Sequence, residues 1–194
     1  MIAVLLGPPG SGKGTQAELL APALGIPHVS TGECLRAEVT AGTAVGREVE
    51  PLLAAGHLVP DELIERVLER RLAAPDAALG ALLDGYPRTV EQARALDRML
   101  AASGRRVAFV VVLHVAEPVL TERLLRRAGE QHRSDDNLRA IAERLAEYRQ
   151  MTEPVVDHYR RERAPICDVD GEGDVETVHR RIVRTVTPLA VSSP

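Results

Sequence analysis

Lys13 is the only lysine in the chain; the other 23 of its 24 basic residues are arginines. It stands inside Gly7-Pro8-Pro9-Gly10-Ser11-Gly12-Lys13-Gly14-Thr15. A chain that uses arginine elsewhere yet keeps one compact ammonium here implies a chemical requirement for lysine at this position. Glycines on either side let backbone N–H groups turn inward without Cβ clashes, and such donors at the start of a helix cradle phosphate oxygens. The pattern is that of a phosphate-binding loop, with Lys13 as the charge on the phosphates.

Such a loop ordinarily carries Ser or Thr directly after the lysine, to hold Mg²⁺ through the hydroxyl. Gly14 occupies that place and Thr15 follows one residue later, so the usual metal ligand must be replaced. Asp84 is the candidate. Ala81-Leu82-Leu83 runs into Asp84-Gly85-Tyr86-Pro87-Arg88, which sets an acid at the carboxyl end of a buried strand, the edge where open α/β sheets bind ligands. There Asp84 would orient waters of a Mg²⁺ held by phosphates. Capping of the turn is the alternative role for this Asp.

The elements that must position these groups follow from hydrophobic period. Ile2 to Leu6 reads as a strand, and Ala17, Leu19, Leu20, Ala23 and Leu24 mark a helix after the loop. His28-Val29-Ser30 is a short second strand, after which Ser30 or Thr31 could cap a helix. Helical patterns at about 32–41, 44–55 and 61–73 form an insertion whose turns would meet a ligand. Val107 to Leu113, a continuous apolar run rich in valine, reads as a central strand of a parallel sheet. Helices at about 89–102 and 117–127, a long one from Ser134, a strand at 165–169 and a closing helix at 175–186 complete the chain. The expected fold is α/β: one domain with an open parallel sheet of about five strands, flanked by helices in the manner of P-loop NTPases.

Composition narrows the function. A net charge of −4 and a pI near 5.9 give no reason to expect nucleic-acid binding. No apolar run approaches the roughly 18 residues of a membrane span. Cys34 and Cys167 lie far apart in no metal or redox spacing, as expected of reduced thiols in a cytoplasmic protein. His57 has no partner ligand at usable spacing and reads as a loop histidine.

GPPGSGKGTQ (7–16), STGECLR (30–36), GHLVPDEL (56–63), LLDGYPRTVEQA (82–93), RSDDN with IAERL (133–145) and VDGEG (169–173) occur in that order. In these motifs nearly the whole chain resembles the adenylate kinase family, whose GKGT variant also accounts for Gly14. The resemblance implies Mg²⁺-dependent, reversible transfer of the ATP γ-phosphoryl group to AMP, giving two ADP, by a cytoplasmic monomer. It places ATP phosphates on Gly10, Ser11, Gly12, Lys13, Gly14 and Thr15, with adenine near Arg127 and the backbone around Gly173. AMP would meet Thr31, Arg36, His57, Leu58, Val59, Gly85, Tyr86, Pro87, Arg88 and Gln92, with Thr31 and Gln92 on the base edge. Arg88, Arg123, Arg127, Arg133 and Arg144 would surround the transferring group, Arg133 and Arg144 also touching AMP.

By the same resemblance, residues 30–59 form the AMP-binding insertion, and 127–133 a short lid where many relatives insert a lid domain, sometimes with a four-cysteine zinc site. No structural zinc is expected. Glu33, Cys34 and His57 depart from common family residues; His57 replaces a frequent lysine and leaves a contact that backbone can make. Two other readings stay open: a kinase of the same type preferring UMP or CMP, and a nucleotide-dependent switch or binding module.

Overall fold

Alternate residues of the first strand, β1 (Ile2–Leu6), are buried on opposite faces of a sheet: Ile2, Val4 and Leu6 join one core cluster, Ala3 and Leu5 another. The computed structural model describes residues 1–54, 59–131 and 138–191, and the side chains of all of these except 127–131 and 191. Burial on both faces requires helices on both, and parallel strands supply them through their crossovers. The strands β1, β2 (His28–Ser30), β3 (Ala81–Asp84), β4 (Val107–His114) and β5 (Ile166–Asp170) form one parallel sheet in the order β2-β3-β1-β4-β5.

Helices α1 (Lys13–Leu24) and α9 (Val175–Val191) cover the Ala3/Leu5 face. The opposite face is covered by α4 (Asp61–Leu72), α5 (Val90–Ala102) and α8 (Glu153–Arg161), with Tyr86 and Tyr159 in that core. Between β2 and β3, α2 (Thr31–Thr40) and α3 (Ala44–Ala54) close with α4 around a separate small cluster of Leu35, Val45, Val49, Leu63 and Val67. The chain leaves β1 toward β3 and β2, then leaves β3 across β1 toward β4. The β1 and β3 ends are therefore the switch point at which such sheets bind ligands.

Helix α6 (Glu117–Gln131) runs past Arg127, so 128–131 is helical where a loop is expected; 132–137 lie outside the described residues. The helix expected from Ser134 is interrupted: α7 (Leu138–Glu147) passes into a π-helical turn (Tyr148–Thr152) before α8. Pro154 has no N–H to give the preceding turn, and the ladder widens so that Glu153 N–H reaches the Tyr148 carbonyl. Helix α9 exceeds its expected end at Val186 because Leu189 still packs against the core.

Candidate active site

The phosphate loop leaves β1 at Leu6 and enters α1 at Lys13. It is pinned by its own main chain, Ser11 N–H donating to Pro8 O at 3.1 Å and Gln16 N–H to Gly12 O at 2.9 Å. Gly10 has φ +82°, and a β-carbon there would lie 2.9 Å from Leu124 Cγ and 3.1 Å from Leu120 O. Only glycine lets the loop press this closely on α6. Lys13 Nζ donates to Gly7 O at 2.6 Å and Pro8 O at 2.9 Å, which folds its ammonium over the loop.

Asp84 pairs with Leu5 across the β1/β3 register, so its carboxylate emerges beside the loop. Its Oδ2 is 3.7 Å from the position that a β-carbon on Gly14 would take. His28 Nε2 stands 3.4 Å from the same oxygen, an ion-pair contact without hydrogen-bond geometry. The Asp84 carboxylate holds the His28 imidazole above its ordinary pKa, outweighing the opposing effect of burial. A hard oxygen donor beside the helix N-terminus, next to a residue with no side chain, fits a Mg²⁺ that keeps its waters and is carried by phosphate.

A second polar group forms at the end of β3. Thr31 is the first residue of α2 rather than its cap, and its hydroxyl donates to Gly85 O at 3.5 Å. Arg88 Nε donates to the same carbonyl at 2.9 Å, and Arg88 N–H to Gln92 Oε1 at 2.7 Å. Gln92 Nε2 donates to Asp61 Oδ1 at 2.7 Å, and the Thr152 hydroxyl to Arg88 O at 2.9 Å. Thr31, Gly85, Arg88 and Gln92 are thus one connected cluster. Spacing along the chain had not brought in Asp61 or Thr152; Asp61 lies in GHLVPDEL, where it reads only as a helix start.

Other expected residues fall elsewhere. The Tyr86 side chain is 1% exposed, with its hydroxyl donating to Gln92 O at 3.1 Å, and Pro87 follows through a cis peptide bond. Both are buried, so the Tyr86 ring is core rather than a ligand contact. Arg123 is expected at the transferring group, and the ATP adenine near Arg127 and the backbone around Gly173; the Arg123 side chain donates to Gly171 O at 3.1 and 3.2 Å and to Gly173 O at 3.4 Å. Helical spacing explains this, since α6 starts beside the β5 end and a residue one turn earlier reaches the Gly171–Gly173 turn. Gln16 Nε2 reaches Val175 O at 2.9 Å and ties the start of α9 to α1.

Arg36 is exposed on α2, Val59 packs on the small insertion cluster, and Arg144 is half-buried in the last turn of α7. His57, Leu58 and Arg133 lie outside the described residues, as does the Arg127 side chain.

The sequence model of the family described as "Adenylate kinase" matches residues 5–164. A curated adenylate kinase of Stenotrophomonas maltophilia (strain K279a) is 48% identical over 183 residues, 94% of this chain and 97% of the relative. That of Nocardia farcinica is 45% identical, covering 96% and 99%, and that of Corynebacterium glutamicum (strain R) 46%, covering 94% and 97%. The chain belongs to the adenylate kinase family. It is accordingly an enzyme, a nucleotide-binding kinase that transfers phosphoryl groups between ATP and AMP. The adenylate kinase assignment is favoured over both a UMP- or CMP-directed kinase and a switch module.

Proposed function

We propose that this adenylate kinase divides its reaction between the two groups of residues that meet at the β1/β3 switch point. That convergence, a main-chain phosphate cradle at the end of β1 and a separate side-chain cluster at the end of β3, carries the reading. ATP phosphates lie on Gly10 to Thr15, where the donors face the charge and the α1 dipole adds to it. Lys13 leaves its loop carbonyls for the β- and γ-phosphates. Arg123, already at the Gly171–Gly173 turn, presents a guanidinium plane to the adenine of ATP.

AMP occupies the second cluster, its base at Thr31 and Gln92 with the 57–59 turn and its phosphate near Arg36 and Arg88. An oxygen of the AMP phosphate attacks the γ-phosphorus in line while the bond to the β,γ-bridging oxygen of ATP breaks, and two ADP leave. No protein nucleophile is needed; the protein orients both anions and stabilises the charge that develops. Arg88, Arg127, Arg133 and Arg144 supply bidentate forks for that charge, and the 127–133 segment shuts out water.

Mg²⁺, when bound, neutralises phosphate charge. Asp84 would hold it through water, and Thr15 is the nearest hydroxyl along the loop. Gln16 and Arg123 keep the donor side assembled as the acceptor side closes. Function as a cytoplasmic monomer accords with the two free thiols and the net charge of −4. Among the described residues no helix is long and apolar enough to cross a membrane.

The test is ADP formation from ATP and Mg²⁺ with AMP, UMP, CMP or no acceptor. ADP should form only with an acceptor, fastest with AMP, and cease with EDTA. Consumption of ATP without AMP, or faster turnover of UMP or CMP, would defeat the assignment of the second cluster.

A further inference from the structure

Gln92 is 6% exposed, and its amide is held from both ends by partners of fixed character. Arg88 N–H can only donate, so the atom 2.7 Å from it is the amide oxygen. The Asp61 carboxylate can only accept when ionised, so the atom 2.7 Å from Oδ1 is the amide nitrogen. Neither contact survives a flip of the amide. Among the described residues, one lone pair on Oε1 and one N–H on Nε2 are left over, with their order along the amide fixed.

The contact with Arg88 has a bland explanation. Thr89 caps α5 by accepting from Gln92 N–H at 3.1 Å, and Gln at this position of a helix often reaches back toward the cap. That habit does not explain Asp61, the first residue of a different helix 31 positions away. As a first-turn acid Asp61 would serve α4 equally well pointing into solvent.

We propose that Asp61 is a positioning residue that locks the Gln92 amide so that its oxygen and N–H face the acceptor base in the order adenine requires. Adenine offers an exocyclic N–H donor beside a ring-nitrogen acceptor, which match the remaining lone pair and N–H. Hypoxanthine puts a carbonyl acceptor where adenine has that donor; against a locked amide, oxygen would face oxygen. A site whose buried polar groups cannot re-pair rejects such an analogue strongly. Without Asp61 only the Arg88 N–H holds the amide, so turning it over to accept hypoxanthine breaks one hydrogen bond instead of two. This inference rests on the placement of the AMP base at Gln92 proposed above.

The experiment compares kcat/KM for AMP with that for inosine monophosphate, at saturating ATP, in the full chain and in Asp61→Ala, Asp61→Asn and Gln92→Ala. The ratio is taken within each preparation, so it is indifferent to the fraction folded. Asp61→Ala should lower the AMP-to-IMP ratio by about tenfold or more, through KM for the acceptor more than kcat and with KM for ATP unchanged. Asp61→Asn keeps an acceptor oxygen for Nε2 and should restore most of the discrimination. Loss of the ratio in Gln92→Ala but not in Asp61→Ala would overturn the role of Asp61 and leave Gln92 as the base reader. An unchanged ratio in both would defeat the placement of the base itself. Equal loss in Asp61→Asn and Asp61→Ala would mean that charge, not the accepting oxygen, is what matters, and would also overturn the proposal.

Discussion

The two polar groups at the β1/β3 end differ in what holds them. Around the phosphate loop the ties are local: Ser11 to Pro8, Gln16 to Gly12, and Lys13 to Gly7 and Pro8. Around Arg88 they span the chain: Thr31 to Gly85, Gln92 to Asp61, and Thr152 to Arg88 are 54, 31 and 64 positions apart. The donor cradle itself is a main-chain object of one segment, tied outward by Gln16 to Val175 and pressed on α6 at Gly10. The acceptor side exists only when α2, α4, α5 and the π-helical turn are all in place. Side-chain damage on the donor side should therefore remove chemistry and leave the fold, whereas damage to acceptor-side packing should reach the ligand indirectly.

Lys13→Ala is the hardest test of that distinction. Removing the one ammonium from the phosphates should cost on the order of 3 kcal/mol of transition-state stabilisation, about a hundredfold or more in kcat. The melting temperature should barely change, because the loop keeps its main-chain hydrogen bonds. Steady-state kinetics beside a thermal melt decides it, and an unchanged kcat would remove Lys13 from the reaction.

Arg88→Ala should come next, with a loss of about 2–3 kcal/mol in kcat/KM for AMP. Arg88→Lys should recover little of it, since Nε on Gly85 O and the free end of the fork on phosphate cannot both be served by an ammonium. Activity lost only in step with a lower melting temperature would make Arg88 a packing residue.

The same split explains how much could be read beforehand. The strands β1, β3 and β4 were legible because burial on both faces writes an uninterrupted apolar run. The glycine loop was legible because its geometry is local. Ala128-Gly129 looked like a stop for α6, yet the helix passes through it. Nor could the π-helical turn be read, because the apolar period before and after it continues unbroken. Motif likeness brought Tyr86 into the site, whereas its ring fills the core against α5 and α8. Asp61 left no local trace because its partner lies on another helix.

Gly46→Ala attacks the acceptor side without touching a proposed ligand contact. A β-carbon there would lie 2.1 Å from the Glu38 carbonyl oxygen, which is backbone and cannot rotate away. Helices α2 and α3 must separate, at a cost of about 2 kcal/mol in stability. KM for AMP should rise severalfold while KM for ATP holds. Equal changes in both constants would show that the two regions move as one body, contrary to the comparison.

The smallest effect is read by the two thiols, one in the insertion and one in the sheet. Cys34 lies half-buried on α2, and Cys167 is 3% exposed on β5. Burial raises both pKa values; at Cys34 the Arg71 guanidinium opposes it in part, whereas Cys167 is pushed up to about 11. Near pH 8 about a thousandth of Cys167 would be thiolate even if a reagent could reach it. Alkylation of Cys167 should therefore rise about tenfold per pH unit up to that value and follow global opening. Cys34 should react first through local opening of the insertion, and AMP should slow it while leaving Cys167 unchanged. Equal rates, or AMP protection of both thiols alike, would mean that the insertion does not open apart from the sheet. The acceptor side would then be as firmly made as the phosphate loop, despite the distance its ties must span.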